Sequence, residues 1–172
     1  MESYIEMLQR YIANIDEHQI LKAATIIKKA ATKGKTVFIF GNGGSMATAM
    51  HFAEDLMHIG VRGIALSDVS QITMLANDYG YHSIFIDQLE NLMKKGDIAI
   101  GISCSGRSVN VTMAIEYANK LGSTIGLTAF EGGPLQTLAL HNVHVSTATG
   151  DFGPAEDVHL AICHMICEIL EK

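Results

Sequence analysis

At 172 residues, 48% hydrophobic and 17% charged, the chain has the length of one domain and is more apolar than most soluble proteins. A formal net charge of −6 argues against an electrostatic nucleic-acid binder, and three cysteines are too few for a disulfide framework. No apolar stretch approaches the roughly 20 residues of a membrane span and no signal-peptide pattern opens the chain, so a cytoplasmic protein without membrane or nucleic-acid partners is expected.

In chain order, residues 2–31 read as two helices. Ile5, Leu8, Ile12 and Ile15, then Ile20, Ala23, Ala24, Ile27 and Ala30, recur at helical spacing. Asp16 is placed to separate them and to N-cap the second. One small sheet leaves no room in its cover for such a pair, which predicts that they pack on a second copy of the chain in a homo-oligomer. Then the period changes. Short β-rich runs at Val37–Phe40, Gly63–Leu66, Ile98–Gly101, Ser123–Leu127 and Val143–Val145 alternate with helical stretches at Ser45–Met57, His82–Met93, Val109–Lys120 and Ala155–Glu171. Strand–helix alternation implies parallel strands joined by right-handed crossovers. The predicted fold is α/β: a single doubly wound, mainly parallel five-stranded sheet flanked by helices, with N-terminal helices for oligomerisation. No repeat or linker interrupts it, so one domain spans 1–172, with a helical segment at 1–33 and an α/β core at 34–172. Cys163 and Cys167, four apart in an apolar helical pattern, read as buried free thiols.

Two loops carry candidate chemistry. Phe40-Gly41-Asn42-Gly43-Gly44-Ser45 leaves a strand and opens a helix. Its glycines permit positive φ and close approach of a ligand to the backbone, and the helix start offers N–H groups to an anion. It is neither a G-x-G-x-x-G nor a Gly-Lys-Ser/Thr loop. A plain tight turn capped by Ser45 is the alternative. Ile102-Ser103-Cys104-Ser105-Gly106-Arg107-Ser108 again follows an apolar run and precedes a helix. Ser103, Ser105 and Ser108 can wrap a phosphate with O–H donors while the helix start supplies N–H groups. Both loops lie at the carboxyl ends of strands, where open parallel sheets bind ligands.

Two further pairs have useful spacing. His51 and Asp55 are i, i+4 on the helix that follows the glycine loop, and Glu156 and His164 are eight apart, roughly on one side of the last helix. A surface pair and a core histidine are the plain alternatives. His141, His144 and His159 read as packing or supporting residues, and His18, His58 and His82 as surface or packing ones.

GNGGS followed by ISCSGRS resembles the sugar isomerase (SIS) domain, whose phosphate loop reads S-x-S-G-x-S/T. Ala49-Met-His-Phe-Ala-Glu-Asp-Leu56, Leu66-Ser-Asp-Val-Ser70 and Ala76-Asn-Asp-Tyr-Gly-Tyr81 look like its phosphoheptose isomerase branch. That resemblance implies conversion of sedoheptulose 7-phosphate to D-glycero-manno-heptose 7-phosphate through an enediol, in a homotetramer with sites built from more than one chain. It implies substrate or phosphate binding by Asn42, Gly43, Gly44, Ser45, Asn77, Asp78, Ser103, Cys104, Ser105, Ser108 and Glu156, with Asp55 and His164 moving protons. It also implies a metal, zinc foremost, on His51, Asp55, Glu156 and His164. The chain departs from the branch in having Asp55 for a Glu and Glu156 for a Gln. It departs again in the Thr147–Pro154 loop, where Gly153-Pro154 replaces a basic-plus-acidic pair and Pro154 is set to start the last helix. Two other readings stay open at this level: an isomerase of another phosphorylated sugar, and a non-catalytic module that binds a phosphosugar or a protein partner.

Overall fold

Five strands alternate with helices along the computed structural model, which describes residues 2–172. After α1 (Tyr4–Ala13) and α2 (Glu17–Ala31) come β1 (Thr36–Gly41), α3 (Gly44–His58), β2 (Arg62–Ala65) and α4 (Val69–Asp78). A 3-10 turn (Tyr81–Ser83) leads into α5 (Ile86–Leu92), β3 (Ile98–Ser103), α6 (Val109–Ala118), β4 (Ser123–Ala129), α7 (Gly133–Leu138), β5 (His141–Val145) and α8 (Phe152–Glu171). The strands run in the order β2-β1-β3-β4-β5 and all pair in parallel. From β1 the chain first moves outward to β2, then returns to place β3 on β1's other side. That reversal opens a crevice beyond the carboxyl ends of β1 and β3.

β1 and β3 are buried along their whole length, so their residues alternate between two cores. Val37, Ile39, Ile98, Ile100 and Ile102 face one side, with α2, α3 and α8 over them. Phe38, Phe40 and Ala99 face the other, under α4, α5, α6 and α7. Gly101 and Gly126 let helices sit close on this second face, because a Cβ at Gly101 would press on Val111 and Ile115 and one at Gly126 on Ala139 and Leu135.

Asp16 does cap α2, accepting from the His18 N–H. Ser3 and Glu6 close a capping box on α1. One expectation fails here. α2 is not left over: Ile20, Ala23, Ala24, Ile27 and Ala30 are buried in the same cluster as β1 and β3. A parallel sheet needs both faces covered, and α2 supplies part of the first cover together with α3 and α8. α1 lies against α8, with the Tyr4 hydroxyl donating to Asp157 at 2.5 Å and the Tyr11 hydroxyl to Asp151 at 2.9 Å. Helix α4, whose start Asp68 caps, and the short α7 are additional to the predicted elements, and the 82–93 stretch divides into the 3-10 turn and α5. Pro154 is the third residue of α8, inside the first turn, where its missing N–H costs nothing.

Candidate active site

β1 and β3 deliver the glycine and serine loops side by side. A Cβ on Gly41 would collide with the Ile102 carbonyl and the Ser45 side chain, so the loops pack backbone to backbone only because that residue is glycine. Gly43 adopts φ 54°, ψ −123° at the N-cap of α3, so the cap is Gly43 and not Ser45. The Ser45 side chain is thereby left beside the buried Cys104, and both line the crevice. In the second loop Gly106 takes φ 62° and its carbonyl accepts from Leu135 of α7, while the Ser103 and Ser108 hydroxyls lie 3.1 Å apart. Ser108 stands at the N-cap of α6 without capping it through its side chain, which leaves that hydroxyl available to a ligand.

The two loops and the start of α8 enclose a hollow of about 220 Å³, lined by Asn42, Gly43, Gly44, Ser45, Ser103, Cys104, Ser105, Ser108 and Glu156, with Ile102 and Phe152. It combines hydroxyls with the N-termini of α3 and α6, an arrangement suited to an anion with polar substituents. Burial, with the Glu156 carboxylate nearby, pushes the Cys104 thiol up to about 11, so it offers a weak S–H donor and not a thiolate. Glu156 lies over Gly44, where any Cβ would run into its carboxylate.

A second group forms farther along α3 and α8. Asp55 sits between two imidazoles, with His51 Nε2 at 3.7 Å from Oδ1 and His164 Nε2 at 3.6 Å from Oδ2. The imidazole rings stand edge to face, 5.1 Å between centroids. Both histidines are about half exposed, and Asp55 Oδ2 is buried with no hydrogen-bond partner. His164 is therefore not a core histidine. One potential ligand atom from each of the three residues lies within 4.8 Å of the others. Two imidazole nitrogens and an orphaned carboxylate oxygen fit a divalent cation of zinc type. Glu156 is not in this group. Eight residues of helix separate it from His164 by about 12 Å along the axis. One chain thus gathers three of the four residues assigned to a metal and sends the fourth to the anion hollow.

The family profile named SIS domain matches residues 2–129. The chain belongs to the SIS domain family. Its relatives include phosphoheptose isomerases of Aliarcobacter butzleri, 37% identical across 97% of this chain and 91% of that one, and of Vibrio cholerae, 38% identical across 97% and 91%. Among solved structures, a phosphoheptose isomerase from Francisella tularensis superposes with a TM-score of 0.88 at 31% identity, covering 95% of this chain and 90% of that one. Another from Neisseria gonorrhoeae gives 0.88 at 28%, covering 95% and 91%.

Within this SIS fold, Asn77 and Asp78 do not line the hollow. They end α4, exposed and hydrogen-bonded to each other at 2.7 Å. Two residues that reading by motif passed over brace the glycine loop instead. Asn110 of α6 exchanges two side-chain hydrogen bonds with Asn42, and the Tyr81 hydroxyl donates to Asn42 Oδ1 at 2.8 Å. Tyr81 closes one of the motif segments, so a signal existed for it. Asn110 has none, since a polar residue in the first turn of an amphipathic helix reads as solvated. His141 and His144 tie β5 to α2, His141 Nε2 meeting the Gln19 carbonyl at 2.8 Å and the His144 N–H donating to the Gln19 side chain.

Proposed function

We propose that the chain is a phosphoheptose isomerase, converting sedoheptulose 7-phosphate to D-glycero-manno-heptose 7-phosphate. The observation that carries this reading is the convergence of the glycine and serine loops on one hollow at the switch point of the sheet, in a chain whose relatives bear that name across nearly their whole length. Ser103, Ser105 and Ser108 hold the phosphate with O–H donors, and the N-termini of α3 and α6 supply N–H groups and a positive dipole end. Asn42, held by Asn110 and Tyr81, keeps the glycine loop open.

Passing from ketose to aldose takes a proton from one carbon and returns it to its neighbour, with a second group serving the oxygens. Asp55 and His164 carry these steps. Asp55 keeps an acceptor oxygen that nothing in the protein satisfies, and the exposed His164 imidazole can give or take a proton. The shorter Asp, standing where the branch has Glu, still reaches both imidazoles. His51, Asp55 and His164 would hold a zinc ion, with Glu156 as a further ligand if brought in from another subunit. Such a metal, when bound, polarises the substrate's oxygens. The hollow and the His–Asp–His group share no lining residue within one chain, so this reading includes a homo-oligomer, of tetramer type, that completes the site across a subunit contact. Among the described residues no helix is long and apolar enough to cross a membrane, which agrees with a cytoplasmic enzyme.

The test is to supply sedoheptulose 7-phosphate and measure the aldose product with and without a chelator. Turnover that the chelator abolishes and zinc restores is expected, with His164→Gln inactive yet binding the sugar phosphate normally. A protein that binds the sugar phosphate without isomerising it would end this reading.

A further inference from the structure

We propose that the amino-terminal edge of the sheet, opposite the SIS site, binds an oligophosphate: a short chain of phosphates, inorganic or the tail of a nucleotide. The chain carries 12 cations against 18 carboxylates, yet the cations are unevenly spread. Seven of the 12 (Lys29, Lys33, Lys35, Arg62, Lys94, Lys95 and Lys120) fall at the end of α2, in the loops entering β1, β3 and β4, and at the start of β2. Those places all lie at one end of a parallel sheet. Like charges gathered on one edge repel each other and raise the local potential, which draws in anions.

The edge is shaped as well as charged. A hollow of about 550 Å³ takes Lys29, Lys33 and Lys35 with Gly96 and Ser123, and an adjoining one of about 310 Å³ takes Lys33 and Lys35 again with Arg62 and Lys94. Lys33 and Lys35 therefore form a saddle between two basins, the form an elongated anion needs. Among the described residues none of these seven cations has a carboxylate within ion-pair distance; the four ion pairs of the chain involve other groups. The one carboxylate in the lining, Asp97, is buried and accepts from the backbone N–H groups of Thr36 and Lys94 at 3.0 and 2.8 Å. It anchors the loops that present the lysines. Lys35 Nζ donates to the Lys95 carbonyl at 2.6 Å, which fixes its head over the saddle. The apolar lining, Ile26, Ile64 and Leu92 with the buried Phe38, offers no exposed ring for a base to stack on. Recognition thus falls on phosphates. In this sheet the edge is remote from the carboxyl ends where the sugar phosphate is placed, so the two sites are separable.

Calorimetric titration with inorganic triphosphate decides the matter. Triphosphate should bind more tightly than orthophosphate and weaken as salt is raised. The triple variant Lys33→Gln, Lys35→Gln, Lys94→Gln should loosen it by about tenfold or more, as the loss of three charge contacts implies, with the isomerase rate unchanged. Binding should persist in Ser103→Ala with Ser105→Ala. An ATP arm tells the sources apart: equal affinity points to the phosphate chain alone, tighter binding to a nucleotide tail. Triphosphate that binds no better than orthophosphate, that ignores the lysine substitutions, or that is lost with the serines would overturn the proposal. So would displacement by a mixed-sequence oligonucleotide more readily than by ATP, which would make the edge a nucleic-acid surface.

Discussion

Ser103 and Ser105 show how little of a residue's role lies in its identity. Serine in a loop is commonplace; a serine hydroxyl beside two helix starts is placed to serve an anion. Replacing both by Ala should weaken sugar-phosphate binding at least about tenfold, since each bond to a charged group contributes roughly 1.5–3 kcal/mol. Calorimetry that finds unchanged affinity would remove the phosphate loop, and the melting temperature should hold because neither side chain serves the core. His159 makes the opposite point. It is fully buried, neither ring nitrogen has a hydrogen-bond partner, and burial pushes it down to about 4. The unfolded chain takes up that proton near 6.5, so between these values the unfolded state holds more protons and stability rises with pH. The stability is complete above pH 6.5 and is lost as the pH falls toward 4, by on the order of 3 kcal/mol. Urea midpoints measured across that range should slope less in His159→Leu; an unaltered slope would assign the acid sensitivity elsewhere. The spacing of His159 suggested packing, and burial is what turned packing into a pH dependence.

At the scale of elements, helical and strand periods place all five strands within two residues at each end, and Asp16 marks the α2 boundary outright. β5 starts two residues earlier than its apolar run, at His141, whose polar side chain hides that end. α4 and α7 went unseen because their buried residues number one each, Leu75 and Leu135, too few to set up a period. α2 is the helix its period predicts, and its apolar face lies in the chain's own core. Its periodic face is visible in the sequence, but whether that face meets the chain's own sheet or another copy depends on how many helices the sheet must have over it. Ile27, fully buried in the cluster shared with β1 and β3, tests this. Ile27→Ala should cost about 2–5 kcal/mol of unfolding free energy. If denaturation is unchanged and only the assembly loosens, α2 is an oligomer arm after all.

For the whole molecule, the remaining large apolar side chains at the surface bear on assembly. Tyr4, Ile5 and Ile12 on α1 are exposed, as are Tyr79 and also Tyr81, whose hydroxyl reaches Asn42 of the SIS hollow, and such clusters mark protein contacts. Light scattering should give a mass that is a multiple of 18.6 kDa; a monomer would leave the proposed site incomplete. The α/β class, the two loops and the family are legible along the chain, because strand–helix alternation and contiguous loop motifs are local patterns that survive in one dimension. Tertiary structure alone decided which residues share a site. Asp55 lies between His51 and His164 because α3 and α8 pack side by side, while Glu156, on the same helix as His164, is carried about two turns away to Gly44. It also decided where the cations go, since loops far apart in the chain meet at one edge only when their strands run parallel. Contacts of that kind depend on packing between distant elements, and no local period encodes them.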